Sequence, residues 1–193
     1  MSAIASSWPP ASVEAKEDIP EGISVLTYNP LNSDEIIRSV ADDRAGATAV
    51  FIGTTRNSFK GKSMTLKTRC EAELLFFSGK VVTRLDYQAY SKLAVKTIST
   101  IVRETHAKYS RSTHQAPDQA PQAIIRCAVH HRLGTVPVGE PSIVIAVSSP
   151  HRKESFLACE FILEEVKLKA QIWKREFYEG ENDADAEWKA NVS

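Results

Sequence analysis

Hydrophobic and polar residues are arranged along the chain with two different periods, which predict both strands and helices. Short apolar runs and two-residue alternation predict strands at residues 24–28, 47–52, 81–90, 124–130 and 143–147. The run at 143–147 is apolar without interruption, which is typical of a central strand buried on both faces. Apolar positions at spacings of three and four predict helices at 34–44, 91–107 and 150–169. Since the elements do not follow a strict βαβ rhythm, the pattern favours an α+β fold.

The helix boundaries and the segments between the elements are also predicted. Asn32 or Ser33 should cap the first helix and Gly46 should end it. Residues 109–122 and 134–141 are predicted to be loop and turn regions. The last helix is expected to bury one apolar face, formed by Phe156, Cys159, Leu163, Val166 and Ala170.

These elements form one predicted domain with a tail at each end. Residues 1–21 contain three prolines, mixed charge and no apolar core, which predicts a disordered N-terminal tail rather than a signal peptide. The domain is expected at 22–180, and 181–193 is expected to be a mobile acidic tail on which Trp188 can dock.

Composition narrows the class of protein. The chain has 193 residues, of which 42% are hydrophobic and 25% charged, and its net charge is zero. A neutral chain argues against bulk affinity for nucleic acid or membranes, and no apolar run approaches the ~20 residues of a membrane span. Three cysteines without metal-ligand spacing indicate reduced thiols and a cytoplasmic location. Cys159 is expected to be a buried, inert thiol.

Basic residues beside the apolar elements suggest a local anion site. The sequence Ser149-Pro150-His151-Arg152 opens the last helix, with Ser149 as the expected N-cap and Pro150 as the first helical residue, and helix N-termini bind anions. Further cations follow at the end of that helix or lie beside other strands: Arg56, His130, His131, Arg132, Lys167 and Lys174. A solvated basic surface is the alternative interpretation. We expect Arg56, Arg152, Lys167 and Lys174 to converge into one oxyanion site.

Four ordered motifs carry a family resemblance. They are Phe51-Ile52-Gly53-Thr54-Thr55-Arg56, His130-His131-Arg132-Leu133-Gly134 with Val138-Gly139-Glu140, Ser149-Pro150-His151-Arg152, and the segment from Lys167 to Glu176. Together they resemble the large, catalytic subunit of molybdopterin synthase over residues 27–188. The resemblance implies an α/β hammerhead-like fold with an additional antiparallel β-sheet. It also implies a homodimer of large subunits within a heterotetramer.

The same resemblance implies an activity. A small ubiquitin-like sulfur-carrier subunit presents its C-terminal Gly-Gly thiocarboxylate, and the sulfur is transferred to cyclic pyranopterin monophosphate. Lys167 would contact the terminal glycine of the partner, and Lys174 would act on the substrate or donate a proton. Arg56, His151 and Arg152 would hold the phosphate. His131 and Arg132 are possible members of this site, although a structural role for the histidine is equally compatible. Neither a metal nor a cofactor is expected.

Two departures from the family pattern change the expectations. Gln171 replaces the usual proline, so the last helix is expected to be able to run on and rotate Lys174 relative to Lys167. Residues 63–80 form an atypical insertion after Arg56. We hypothesise a retained in-frame intron or a mispredicted exon boundary, and the alternative is a genuine long surface loop.

Two rival functions remain open from the sequence. One is a catalytically impaired, scaffold-like relative in which the insertion obstructs the pocket. The other is a nucleic-acid-binding module that reads phosphates with the same cations. The zero net charge and the lack of aromatic residues interleaved with the basic ones argue against the second.

Overall fold

The computed structural model describes residues 11–66, 74–111 and 124–190. Three α-helices lie in this part of the chain: α1 (Ser33–Arg38), α2 (Ser91–Lys108) and α3 (Arg152–Lys169). The strands in it are β1 (Ala15–Ile19), β2 (Gly22–Thr27), β3 (Ala47–Thr54), β4 (Ser58–Leu66), β5 (Leu74–Ala89), β6 (Arg126–Arg132), β7 (Gly134–Pro137), β8 (Pro141–Ser149), β9 (Ile172–Tyr178) and β10 (Trp188–Ala190). The mixture of helices with two sheets confirms the α+β prediction.

The first sheet has the strand order β1-β2-β6-β8-β3. Only the pair β2 and β6 is parallel in this sheet of the described residues. Strand β8 lies between β6 and β3, and almost all of its side chains are buried. The predicted central strand is therefore confirmed.

Helices cover both faces of the first sheet. Strand residues alternate between the two faces, and both faces carry apolar side chains that need to be buried. Val129, Ile145 and Val147 pack with α2 and α3 in the larger core. Ala128, Val144 and Ala146 face the other way and pack with α1. This double cover fixes the position of α3, whose two ends carry the predicted site residues.

The second sheet has the order β10-β9-β5-β4, and β7 pairs with β5 on the edge opposite to β9. Strand β5 is long enough to pair with β4 near its start and with β7 and β9 farther along. Strand β9 follows α3 after two residues, so this sheet receives the segment that begins at the end of the helix.

The N-terminal tail was predicted to extend to residue 21, and this prediction is wrong for the residues that the structure describes. Residues Ala15–Ile19 form β1, which pairs with β2 from Ala15 opposite Leu26 to Ile19 opposite Gly22. The charged residues of β1 lie on an edge strand, where charge protects a free edge. Residues 1–10 lie outside the described residues.

The insertion at 63–80 contributes paired strands where the structure describes it. Ser63 pairs with Phe77 and Leu66 pairs with Leu74, so the backbone continues the β4–β5 hairpin. Residues 67–73 lie outside the described part. The segment that the alternative described as a surface loop is thus a paired hairpin where the structure describes it. The hypothesis of an intron or a mispredicted exon boundary remains a prediction.

The C-terminal segment was expected to be mobile, but its described part is attached to the second sheet. Strand β10 pairs with β9, and the Arg175 guanidinium lies 5.0 Å from the ring centroid of Trp188. The docking of Trp188 is therefore observed. Residues 191–193 are not described.

Three local predictions need correction. Helix α1 is capped by Asn32 as predicted, but it ends at Arg38, well before Gly46. The predicted turn region 134–141 contains the short strand β7, which was missed because its glycine and proline are typical turn residues. On α3 the buried face includes Ala158, Cys159, Ile162 and Val166, whereas Phe156 is 65% exposed. The small Ala158 allows close packing there, so the apolar face is rotated from the predicted one.

Candidate functional site

Lys174 lies on β9 at a buried carboxylate. Residues 174, 176 and 178 share one face of the strand because they alternate with the intervening residues. The Lys174 Nζ atom is 3.1 Å from Oε1 of Glu176, which is only 7% exposed. The Tyr178 hydroxyl donates a 2.5 Å hydrogen bond to Oε2 of Glu176, and the Lys189 Nζ atom on β10 lies 4.0 Å from the same oxygen. One carboxylate thus holds the catalytic candidate in place.

The environment of Glu176 favours its ionised form. Burial acts to raise its pKa, but hydrogen bonds from Tyr178 and Lys174 and the charges of Lys174 and Lys189 act in the opposite direction, and the net effect lowers the pKa. Burial and the neighbouring Glu176 charge raise the pKa of the Tyr178 hydroxyl, which therefore stays a hydrogen-bond donor at neutral pH. Charge-assisted bonds of this kind are stronger than neutral ones.

Sequence reasoning gave no role to Glu176, Tyr178 or Lys189. The signal that could have found the first two is their spacing of two and four residues from Lys174, which marks a shared strand face. No strand was predicted in this segment, because the last helix was expected to be able to run on through Gln171. Lys189 carries no such local signal, because its position depends on the pairing of β10 with β9.

Lys167 lies in the last turn of α3 and is available to a ligand. Its side chain is 35% exposed, and its Nζ atom lies 4.0 Å from Oε1 of Glu164, the limit for an ion pair. The helix ends at Lys169, and Ala170 already has an extended backbone. The expectation that the helix could run on through Gln171 is therefore wrong, and Lys174 lies on a strand.

Arg56 lies between β3 and β4, with an exposed side chain on a fixed backbone. The Thr55 amide donates to the Glu140 carbonyl at 3.2 Å, and the Gly139 amide donates to the Thr55 carbonyl at 2.9 Å. On the other side, the Val82 amide donates to the Asn57 carbonyl at 3.0 Å. The Arg56 side chain is exposed and forms no ion pair with another residue of the described ranges, so its guanidinium can face an anionic ligand.

His151 and Arg152 lie at the N-terminus of α3, beside a cavity of about 700 Å³. The helix begins at Arg152 with His151 as N-cap, so the predicted start at Pro150 with Ser149 as cap is wrong by two residues. Both side chains are exposed. Close packing at Gly46 shapes this region, since a Cβ atom there would lie 2.3 Å from the Pro150 carbonyl oxygen. Cations at a helix N-terminus can bind a phosphate together with the free amides.

The predicted cations do not all meet within one chain. Arg152 and Lys167 are separated by nearly the whole of α3, about 22 Å at ~1.5 Å per residue. The structure therefore shows two groups, His151 and Arg152 at one end of the helix and Lys167 at the other end, followed by Lys174. Arg152 and Lys167 therefore do not meet within one chain. Their convergence into one oxyanion site, which would have to occur between two copies of the chain, stays a prediction.

His131 and Arg132 belong to the interior. His131 is 1% exposed, its Nδ1–H group donates to the Arg132 carbonyl at 2.8 Å, and its ring contacts Tyr87 edge-on at 4.9 Å. Burial lowers the pKa of His131 to about 4, so the ring is neutral at pH 7. Arg132 is 8% exposed and pairs with Glu140. Tyr87 pairs with Lys174 between β5 and β9. His131 therefore packs against a neighbour of Lys174 in the interior and does not line the site.

A metal site, a membrane-spanning helix and an ionised thiol are all absent from the residues that the structure describes. No cluster of three or more His, Cys, Asp or Glu side chains suited to a metal ion occurs in residues 11–66, 74–111 and 124–190. None of the helices within these ranges has the length and apolar character needed to span a membrane. Burial raises the pKa of the Cys159 thiol to about 11 and that of Cys127 further, so both described thiols remain protonated.

Comparisons with known proteins agree on one family. The family described as MoaE protein matches residues 26–169. The molybdopterin synthase catalytic subunit 2 of Aedes aegypti is 40% identical over 86% of this chain and 87% of its own length. The molybdopterin synthase catalytic subunit of Taeniopygia guttata is 35% identical over 93% of this chain and 94% of its own length.

Solved structures share the fold. Molybdopterin synthase from Staphylococcus aureus has a TM-score of 0.63 and 25% identity, covering 85% of this chain and 94% of that chain. A complex of subunits 1 and 2 of the molybdopterin-converting factor from Helicobacter pylori contains a chain with a TM-score of 0.52 at 18% identity, covering 82% of this chain and 86% of that one. The second likeness concerns the fold alone.

Proposed function

The chain belongs to the MoaE family of molybdopterin synthase catalytic subunits, and on that premise we propose that it transfers sulfur to cyclic pyranopterin monophosphate. The product is molybdopterin, in molybdenum cofactor biosynthesis. The observation that carries the proposal is the Lys174 ammonium, which the buried Glu176 carboxylate holds 3.1 Å away on the strand after α3. An oriented ammonium of this kind can donate a proton or stabilise negative charge during the transfer.

The sulfur donor in this proposal is the C-terminal Gly-Gly thiocarboxylate of a small ubiquitin-like partner subunit. Lys167 is partly exposed and only weakly paired, so its ammonium can bind the terminal thiocarboxylate. The H. pylori relative was solved as a complex of two subunits, which supports a partner protein. Two successive partners would deliver the two sulfurs of the dithiolene.

The phosphate of the substrate would lie against the guanidinium of Arg56 and the cations at the start of α3. A guanidinium suits bidentate binding of a phosphate. Because His151 and Arg152 lie about 22 Å along α3 from Lys167, we assign them to the site of a second copy. The proposed assembly is a homodimer of large subunits within a heterotetramer.

The exposed Phe156 and Leu157 line the cavity beside these cations and offer apolar surface for such a contact. A twofold dimer uses the same patch on both copies, so it would form two equivalent sites.

In the same proposal the chain acts in the cytoplasm, which the two free thiols in the described residues support.

The test mixes the purified chain with thiocarboxylated small subunit and cyclic pyranopterin monophosphate and measures the dithiolene product. Product formation is expected. Complex formation without product would favour the scaffold-like alternative, and salt-dependent binding of RNA or DNA without product would favour the nucleic-acid-binding one.

The Lys167→Ala variant should lower turnover by at least about 100-fold, because it removes a charge that stabilises the transition state, while the far-UV circular dichroism stays that of the parent. Lys92→Ala is the matched control, since Lys92 is an exposed lysine on α2. Full activity of Lys167→Ala would remove the role that we give to this lysine.

A further inference from the structure

A joint of two residues connects the elements that carry the two lysines. Helix α3 ends at Lys169 and β9 begins at Ile172, so only Ala170 and Gln171 lie between them. The Ala170 amide still donates to the Val166 carbonyl at 3.0 Å, but its backbone is extended, with φ −72° and ψ 136°. The chain therefore changes from helix to strand within these two residues.

Gln171 attaches this joint to its surroundings at three points. Its Oε1 atom accepts a 3.0 Å hydrogen bond from the Thr97 hydroxyl in the middle of α2. Its Nε2 atom donates to the Lys169 carbonyl at 2.8 Å, which satisfies an end carbonyl of α3. Its backbone carbonyl accepts from the Tyr90 amide at the start of α2, at 3.1 Å.

The joint determines the relative placement of the two proposed catalytic lysines, because Lys167 precedes it by less than one turn of helix and Lys174 follows it on β9. A displacement of about 1 Å between reacting groups can cost ~100-fold in rate. We propose that Gln171 is a positioning residue for the sulfur transfer: its side-chain amide fixes the joint between α3 and β9 and thereby sets the position of the Lys167 ammonium relative to Lys174. This inference rests on the proposed function.

The backbone also shows what can replace this glutamine. The extended conformation of Ala170 is the one that a residue before proline adopts. The Gln171 amide N–H donates to no acceptor within the described residues. A proline at position 171 therefore loses no backbone hydrogen bond, and its ring would stiffen the joint in place of the side-chain amide.

The experiment compares Gln171→Ala, Thr97→Val and Gln171→Pro in the full chain with its partner. Gln171→Ala and Thr97→Val should each lower kcat by about 10-fold with KM changed less than about 2-fold, because the lysines are misplaced and not lost. Gln171→Pro should stay within about 2-fold of the parent kcat, and Thr97→Val should have no further effect in that background, since the two residues act through one contact.

Thr100→Val is the matched control, because Thr100 is an exposed threonine on the same helix whose hydroxyl donates to the Lys96 carbonyl of its own turn. It should leave kcat unchanged. Parent-like kcat in Gln171→Ala, or an equal loss in Gln171→Ala and Gln171→Pro, would overturn the proposal.

A second readout needs no activity. A short amine-reactive cross-linker, with mass spectrometry, measures how often Lys167 and Lys174 are joined. The yield should be the same in the parent, Thr100→Val and Gln171→Pro, and should change by about 3-fold or more in Gln171→Ala and Thr97→Val as the joint loosens. Equal yields in every variant would overturn the role of Gln171, even if the parent forms no product and the proposed function itself fails.

Discussion

The buried carboxylate of Glu176 orients the side chain of Lys174. Its carboxylate receives Lys174 on one oxygen and Tyr178 on the other, and it is 7% exposed. A buried charge is stable only when it is paired and hydrogen-bonded. Because side chains alternate along β9, Lys174 and Tyr178 both reach the Glu176 carboxylate. The position of Lys174 in this basic segment therefore depends on a buried acid.

Replacing Glu176 with glutamine tests this arrangement. Glu176→Gln keeps the shape but removes the charge, so Lys174 should be held less firmly and turnover should fall about 10-fold. Glu160→Gln, on the exposed side of α3, is the control and should be neutral. The rate of product formation is the measurement, and parent-like turnover in Glu176→Gln would show that the lysine needs no carboxylate.

The buried histidine behind the site makes a prediction about pH. Burial lowers the pKa of His131 from 6.5 to about 4 in the folded chain. The unfolded chain therefore takes up a proton near pH 6.5 while the folded chain does not, and stability falls as the pH is lowered from 6.5 towards 4. The slope contributed by this group approaches about 1.4 kcal/mol per pH unit.

His131→Asn should flatten that slope, because asparagine can still donate to the Arg132 carbonyl but does not titrate. Urea unfolding followed between pH 6.5 and 4 measures it. The overall stability of the variant should be lower, since the ring contact with Tyr87 is lost. The exposed His151→Asn is the control. An unchanged slope in His131→Asn would show that the ring is already protonated in the folded chain.

At the scale of elements, the hairpin of β4 and β5 is separable from the strand that supports the site. Strand β5 pairs with β9 and β7 from Val82 onward, whereas the insertion precedes that point. Deleting residues 63–80 should therefore keep the fold, with the melting temperature within about 5 °C of the parent, because long surface segments are inexpensive to shorten.

Product formation by the deletion variant separates the alternatives for the insertion. We expect activity with and without it. An inactive full-length chain together with an active deletion variant would show that the hairpin obstructs the site. A deletion variant that fails to fold would show that the hairpin is an integral part of the second sheet.

The elements that were predicted correctly are those whose burial pattern can be read from their own residues. The apolar run of β8 and the regular spacing of α2 reflect burial on the faces that the pattern implies. Strands β1, β7 and β10 were missed because they are short and polar or contain turn residues, and their pairing partners decide their structure. Pairing of this kind is non-local and leaves little trace in the sequence.

The candidate site divides in the same way. Arg56, His151, Arg152, Lys167 and Lys174 could be selected by residue type and by family resemblance, and the structure leaves all five at least partly exposed. The burial of His131 and the network around Glu176 depend on packing between strands. The two cation groups are separated by the length of α3, and selection by residue type alone does not take that distance into account.

At the scale of the whole molecule, the candidate cations form two groups at opposite ends of one helix. Each end has exposed cations, and about 22 Å of helix lies between Arg152 and Lys167. A ligand the size of a pterin phosphate cannot bridge that distance within one chain. A twofold pair of chains can place the start of one helix near the end of the other, so the proposed function predicts that activity requires the dimer.

Complementation between two inactive variants tests this claim most directly. In a mixed dimer of Lys167→Ala and Arg152→Ala chains, one of the two shared sites receives an intact Lys167 from one copy and an intact Arg152 from the other. Unfolding the variants together and refolding them should restore about one quarter of the parent rate of product formation, because half of the dimers are mixed and each has one intact site. Each variant refolded alone should stay inactive. A mixture as inactive as its components, with mixed dimers confirmed by native mass spectrometry, would contradict a site built from two chains.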